Sequence, residues 1–114
     1  MSEGYEPNPN GNTETLNGTV YITTDTPYGT QLYPFRNGSV IFVDFALRSS
    51  TALPEQTDIA KVTLPKNLVR AVHLSSVTNQ GNGVRLVMST NGTISLESAW
   101  NASEWISGTF IGLI

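Results

Sequence analysis

The chain has no cysteine among its 114 residues, which excludes disulfide scaffolds, thiolate metal sites and cysteine nucleophiles. It has one histidine, His73, so a histidine-rich zinc site and most histidine-dependent catalysis are not expected. No apolar run reaches the ~18 residues that a membrane-spanning helix needs. The polar start MSEGYEPNPNGN also lacks the apolar segment of a signal peptide. We therefore expect no metal, no cofactor and no membrane partner.

Charged residues are scarce as well, at 13% of the chain. Nine acidic residues against six basic ones give a net charge of −3. Nucleic-acid-binding proteins usually show clustered Lys and Arg, so no nucleic-acid partner is expected. The length corresponds to one domain, and the 39% hydrophobic content is enough for one core.

Short β-type segments follow one another from Leu16 onward, separated by Asn-Gly pairs, prolines and Ser/Thr clusters. About eight strands are predicted, over residues 19–23, 29–35, 39–47, 58–64, 69–77, 84–89, 93–97 and 105–113. This pattern is typical of a β-sandwich, jelly roll or small barrel, and we predict an antiparallel β-sandwich of jelly-roll type over residues 16–114. The proline- and asparagine-rich residues 1–15 are predicted to be a flexible lead-in or linker. Asn37-Gly38 predicts a two-residue hairpin of type I′.

The segment 39–47 is the most hydrophobic of the chain, and both of its faces are apolar. One face carries Ile41, Val43, Phe45 and Leu47. The other carries Val40, Phe42 and Ala46 together with Asp44. Because a single sandwich covers only one face of each sheet, we expect a loop or another subunit to cover the second face.

Few residues suggest catalysis. Asp44 could be a catalytic carboxylate, but an ion pair with Arg48, Arg70 or Arg85 is the favoured interpretation. Glycoside hydrolysis needs two carboxyl groups facing one cleft, and the remaining acids show no such pairing, so we predict that the chain is not an enzyme. His73 is predicted to be a hydrogen-bonded strand histidine.

The aromatic residues suggest a different activity. Sugar-binding sites commonly combine a flat aromatic face with amides and carboxylates that bind hydroxyl groups. The candidate ligand-binding residues are Trp100, Asn101 and Glu104 of one loop, with Tyr28 or Tyr33 from a neighbouring loop. Trp105 is expected in the core, whereas for Trp100 core and surface remain equally open.

The second half of the chain contains an ordered series of motifs between residues 58 and 112. They are Leu64-Pro65, Arg70, the segment Asn91-Gly92-Thr93-Ile94-Ser95-Leu96 and the segment Trp105-Ile106-Ser107-Gly108-Thr109-Phe110. This order resembles the C-terminal head domains of tail-fibre, baseplate and receptor-binding proteins of long-tailed bacteriophages. The chain departs from that pattern at Ala71, where proline is frequent, and at residues 111–114, which extend past the usual aromatic ending.

The resemblance implies a homotrimeric β-sandwich head in the virion tail or baseplate, made in the host cytoplasm before assembly. Such heads adhere to a bacterial surface saccharide and contact other virion tail or baseplate proteins. The alternative is a structural trimerising or docking module with no ligand of its own. No ligand-binding residue is carried over from the resemblance.

Overall fold

Nine strands form two antiparallel sheets in the computed structural model, which describes residues 13–23 and 31–114. The strands are β1 (Thr13–Thr15), β2 (Gly18–Val20), β3 (Gln31–Asn37), β4 (Val40–Arg48), β5 (Asp58–Val62), β6 (Val72–Val77), β7 (Gly83–Met88), β8 (Thr93–Leu96) and β9 (Trp105–Leu113). One sheet has the order β1-β3-β4-β9 and the other the order β2-β5-β8-β7-β6. The described residues contain no helix. The predicted all-β antiparallel sandwich is confirmed.

The strand pairs are nested along the chain. β6 pairs with β7, β5 pairs with β8, and β4 pairs with β9. Each pair thus encloses the previous one in sequence, an arrangement compatible with the predicted jelly-roll type. Such non-local pairing brings residues near the chain end next to residues of β4.

Alternation along the strands builds the core. On β4 the side chains of Ile41, Val43, Phe45 and Leu47 are buried between the sheets, and those between them face outward. Phe110 of β9 meets Phe45 with ring centroids 5.6 Å apart. The other sheet contributes alternating buried residues such as Val84, Leu86 and Met88. The core therefore follows directly from the period-two pattern of the sequence.

Two local predictions need correction. The β3–β4 hairpin loop consists of Gly38 and Ser39, since Asn37 pairs with Val40. Only Gly38 has a positive φ, of 60°, as in a type II′ turn, whereas the predicted type I′ turn needs two such residues.

The polar segment Thr13–Thr15 is also not part of a flexible lead-in, because it pairs with β3 as an edge strand. Residues 1–12 lie outside the described residues.

Gly92 is the turn position with the strictest requirement. Its φ is 92°, and a Cβ there would collide with the backbone carbonyl of Val62. The backbone amide of Val62 in turn donates to the carbonyl of Gly92 at 2.9 Å. The close approach between this turn and β5 therefore requires glycine.

Candidate functional site

Trp100 is part of the core. Its side chain is 1% exposed, and its Nε1 donates to the backbone carbonyl of Glu104 at 2.9 Å. Its backbone amide and carbonyl both bond to Leu53, at 2.9 and 2.8 Å. A ring in this position cannot stack on a ligand, so the predicted sugar-stacking role of Trp100 is wrong. Trp105, which was expected in the core, is half-buried on the outer side of β9.

Glu104 and Asn101, the other two predicted residues of that loop, form a hydrogen-bonded cluster with the β6–β7 hairpin. Asn82 donates to both carboxylate oxygens of Glu104, at 3.1 and 3.0 Å, and Asn101 adds a longer bond of 3.4 Å. Only 9% of Glu104 is exposed. The bonds from Asn82, supported by Thr78 and Asn101, lower the pKa of Glu104 against the opposing effect of burial. The Glu104 carboxylate thus joins the loop before β9 to the β6–β7 hairpin.

The stability of this junction should depend on pH. Because the pKa of Glu104 in the folded state is lowered from its ordinary value of 4.5, the unfolded state binds more protons than the folded state as the pH falls through that value. The stabilisation is therefore complete above that pH and is lost as the pH falls through the lowered pKa. We expect Glu104→Gln to reduce the free energy of unfolding at neutral pH, and the gap to the parent to shrink on acidification. Urea unfolding between about pH 7 and about pH 3 measures this gap.

A second variant checks the cause. Asn82→Ala removes the main hydrogen-bond donor to Glu104. Its free energy of unfolding should be lower than that of the parent at neutral pH, and this difference should shrink over the same pH range. A gap that is constant with pH for both variants would show that the charge of Glu104 does not contribute to the stability of the junction.

The two predicted tyrosines do not complete that site. Tyr33 is exposed on β3, where its neighbours across the sheet are Asp44 and, one strand further, Thr109. Thr109 lies four residues along β9 from Trp105, which corresponds to about 13 Å. Tyr33 therefore belongs to a sheet surface and not to the predicted loop cluster. Tyr28 lies outside the described residues.

An apolar surface covers part of the outer side of the four-stranded sheet, and we call it the apolar face. Its members are Phe35, Val40, Phe42, Ile111 and Leu113. The rings of Phe35 and Phe42 are stacked with centroids 5.0 Å apart, and both side chains are half-buried. Ile111 and Leu113 are 57% and 56% exposed. The second apolar side of the 39–47 segment thus remains largely open to solvent in one chain.

Asp44 lies beside this surface, and no ion pair joins it to another described residue. Its Oδ1 accepts a hydrogen bond from Thr109 Oγ1 at 2.7 Å, and its side chain is exposed. The predicted pairing with Arg48, Arg70 or Arg85 is therefore wrong. The register of β4 against β9 places Thr109 directly opposite Asp44.

The outer side of the five-stranded sheet is polar, and we call it the polar face. Its polar members are Asp58, Lys61, His73, Ser75, Arg85, Thr93, Ser95 and Glu97, and Val77 and Val87 lie on the same face. His73 Nδ1 lies 2.8 Å from Glu97 Oε1, and Ser95 Oγ donates to Asp58 Oδ1 at 2.6 Å. The predicted hydrogen-bonded strand histidine is confirmed. These polar groups come from four neighbouring strands and the residue that follows β8.

An open cavity of about 400 Å³ lies on the polar face. Its lining residues are Glu55, Gln56, Val87, Ser95, Leu96 and Glu97. The turn that carries Glu55 and Gln56 is held against β8, because the Gln56 amide donates to the Leu96 carbonyl at 2.8 Å. Gln56 has a φ of 70°, a backbone conformation that residues other than glycine rarely adopt. The cavity therefore combines a sheet surface with one edge formed by a fixed turn.

The sequence pattern did not identify these cavity residues. Val87, Ser95 and Glu97 occupy outward positions of alternating strands, which an alternation analysis assigns only to solvent. Their proximity depends on the register of β7 against β8, in which Leu86 pairs with Leu96. The turn Pro54-Glu55-Gln56-Thr57 lies in a polar segment between two predicted strands, and its contact with β8 is a long-range one.

The described residues contain no group of three or more His, Asp or Glu side chains that could hold a metal ion. No helix long and apolar enough to cross a membrane occurs among them. No protein-family model matches the chain, and neither a curated protein nor a solved structure shows significant similarity to it.

Proposed function

We propose that this chain is a receptor-binding domain of a bacteriophage tail fibre or baseplate, which assembles as a homotrimer and adheres to a saccharide of the bacterial surface. The observation that supports this proposal is the contrast between the two outer faces of the sandwich. One is apolar and suited to another copy of the chain, and the other is polar and suited to a hydrated ligand. The number of copies and the virion location come from the motif resemblance.

The apolar face supports self-association. Its five residues lie side by side at one end of strands β3, β4 and β9. Contiguous exposed apolar residues, unlike single scattered ones, often mark an interaction site. Val69 is also exposed, and its amide donates to the carbonyl of Leu113 at 2.7 Å, so the apolar surface continues beyond the sheet.

The polar face supports binding of a hydroxyl-rich ligand. Carboxylates accept hydrogen bonds from hydroxyl groups, and serine and amide side chains both donate and accept. Such contacts are individually weak in water. Three copies of the site on one assembly would raise the overall affinity through multivalency.

A second candidate is a structural trimerising or docking module of the phage tail with no ligand of its own. The burial of Trp100 favours it, because the ring that was expected to stack on a sugar belongs to the core. The apolar face serves this candidate equally well.

Two measurements test the proposal. Light scattering on the purified chain should give a mass three times the 12.3 kDa of one copy. An array of bacterial cell-wall and capsular oligosaccharides should then give specific binding. A monomer at micromolar concentration contradicts both candidates, whereas a trimer that binds no glycan and no bacterial cells favours the structural module.

A further inference from the structure

We propose that the cavity on the polar face is the ligand site and that it takes a neutral glycan unit, not a phosphate-bearing or carboxylate-bearing one. This inference rests on the proposed function, because it names the site and the ligand class of the same adhesion activity. It differs from the sequence-based site, whose aromatic residue is buried.

The size and lining of the cavity fit one or two sugar rings. Its volume of about 400 Å³ lies within the usual range of small-ligand sites, about 300–1,000 Å³. Val87 contributes an apolar side chain to its lining. The Gln56 side chain can donate and accept, whereas Ser95 Oγ can accept only, because its hydrogen is donated to Asp58. The carboxylates of Glu55 and Glu97 also accept only. Sugars present this combination of apolar C–H surface and hydroxyl groups.

Charge selects the ligand class. Two of the lining residues, Glu55 and Glu97, are acidic, and none is basic. Arg85 is the basic residue beside Glu97 on the polar face, but it does not line the cavity, and its Nη2 lies 3.5 Å from the backbone carbonyl of Glu97. A phosphate or carboxylate in the cavity would therefore meet like charge without a counterion. Hydroxyl groups, in contrast, form charge-assisted hydrogen bonds with carboxylates.

The site is largely fixed before a ligand binds. The bond from His73 orients the carboxylate of Glu97 through Oε1, and no hydrogen bond from the described residues occupies Oε2. The bond between Gln56 and Leu96 holds the opposite edge. Gln56 keeps its positive φ there, and strained backbone of this kind clusters at ligand-binding positions. Preorganised groups lose less entropy when a ligand binds.

The test uses the full chain in its native oligomeric state on an array with neutral, phosphate-bearing and carboxylate-bearing bacterial oligosaccharides. The parent protein should bind neutral members. Glu97→Gln and Gln56→Gly should each weaken that binding at least tenfold while mass and melting temperature are kept. Gln56→Gly removes the side-chain amide at a position whose positive φ glycine adopts without strain, so the turn is expected to keep its conformation. Glu14→Gln is the matched control, since it removes a carboxylate from exposed β1 of the other sheet.

Each result decides one part of the proposal. If both cavity variants still bind neutral glycans as the parent does, the cavity is not the binding site, whereas the adhesion function stands. Binding restricted to phosphate-bearing or carboxylate-bearing glycans overturns the ligand class. A trimer that binds neither the array nor bacterial cells overturns the adhesion function itself, together with the site.

Discussion

Phe42→Asp is expected to dissociate the proposed trimer into monomers. Phe42 lies near the middle of the apolar face, between Phe35 on β3 and Ile111 on β9. A carboxylate in this position would be buried between subunits without a partner, which costs on the order of 3 kcal/mol or more. Since about 1.4 kcal/mol is a factor of ten, the dissociation constant should rise by at least about a hundredfold. Light scattering over a concentration series measures the change.

A loss of folding could imitate this result, because Phe42 is half-buried and stacked on Phe35. Ile111→Asp avoids the problem, since Ile111 is more than half exposed in one chain, and it should dissociate the trimer as well. Val77→Asp is the matched control, because Val77 is 69% exposed on the opposite sheet and should leave the trimer intact. A folded Ile111→Asp variant that remains trimeric would exclude the apolar face as the subunit contact.

The sequence predicted the sandwich because alternation and turn residues are local signals. Eight predicted segments correspond to β2–β9, with ends shifted by a few residues. The remaining strand, β1, has three polar residues and no alternation, and it pairs with β3 at the edge of the sheet. Such an edge strand forms through pairing with distant residues, which a local pattern does not contain. The apolar character of the second face of β4 was predictable for the same reason as the core, since alternation assigns both faces of a strand. That another subunit covers this face stays a prediction.

The candidate site was much less predictable. Trp100 lies outside the nine strands, where no periodicity indicates which side of the chain is buried. Its burial depends on the bridge to Leu53, a residue 47 positions earlier in the chain. The cavity on the polar face likewise depends on strand register and on a turn held against β8. Composition indicated sugar-binding chemistry, but only long-range pairing determines which residues meet.

Trp100→Ala is expected to destabilise the fold severely. The indole belongs to the largest fully buried side chains of the described residues, and its removal leaves a cavity as well as an unpaired Glu104 carbonyl. Substitutions of this kind cost about 3–5 kcal/mol, out of a total stability of about 5–15 kcal/mol for a domain. Urea unfolding at neutral pH should show a much lower midpoint or no cooperative transition. A variant as stable as the parent would place the ring outside the core and restore it as a candidate for ligand contact.

Two further variants divide this effect into its causes. Trp100→Phe keeps much of the apolar volume but removes the Nε1 donor, so it should lose part of the stability, including about 1–3 kcal/mol for the unpaired carbonyl. Trp105→Ala removes the same side chain from a half-buried position on β9 and should cost clearly less than Trp100→Ala. Equal losses for the two alanine variants would contradict the difference in burial between these tryptophans. In that case the stability near this end of the sandwich would depend on the loop junction around Glu104 instead of on the indole of Trp100.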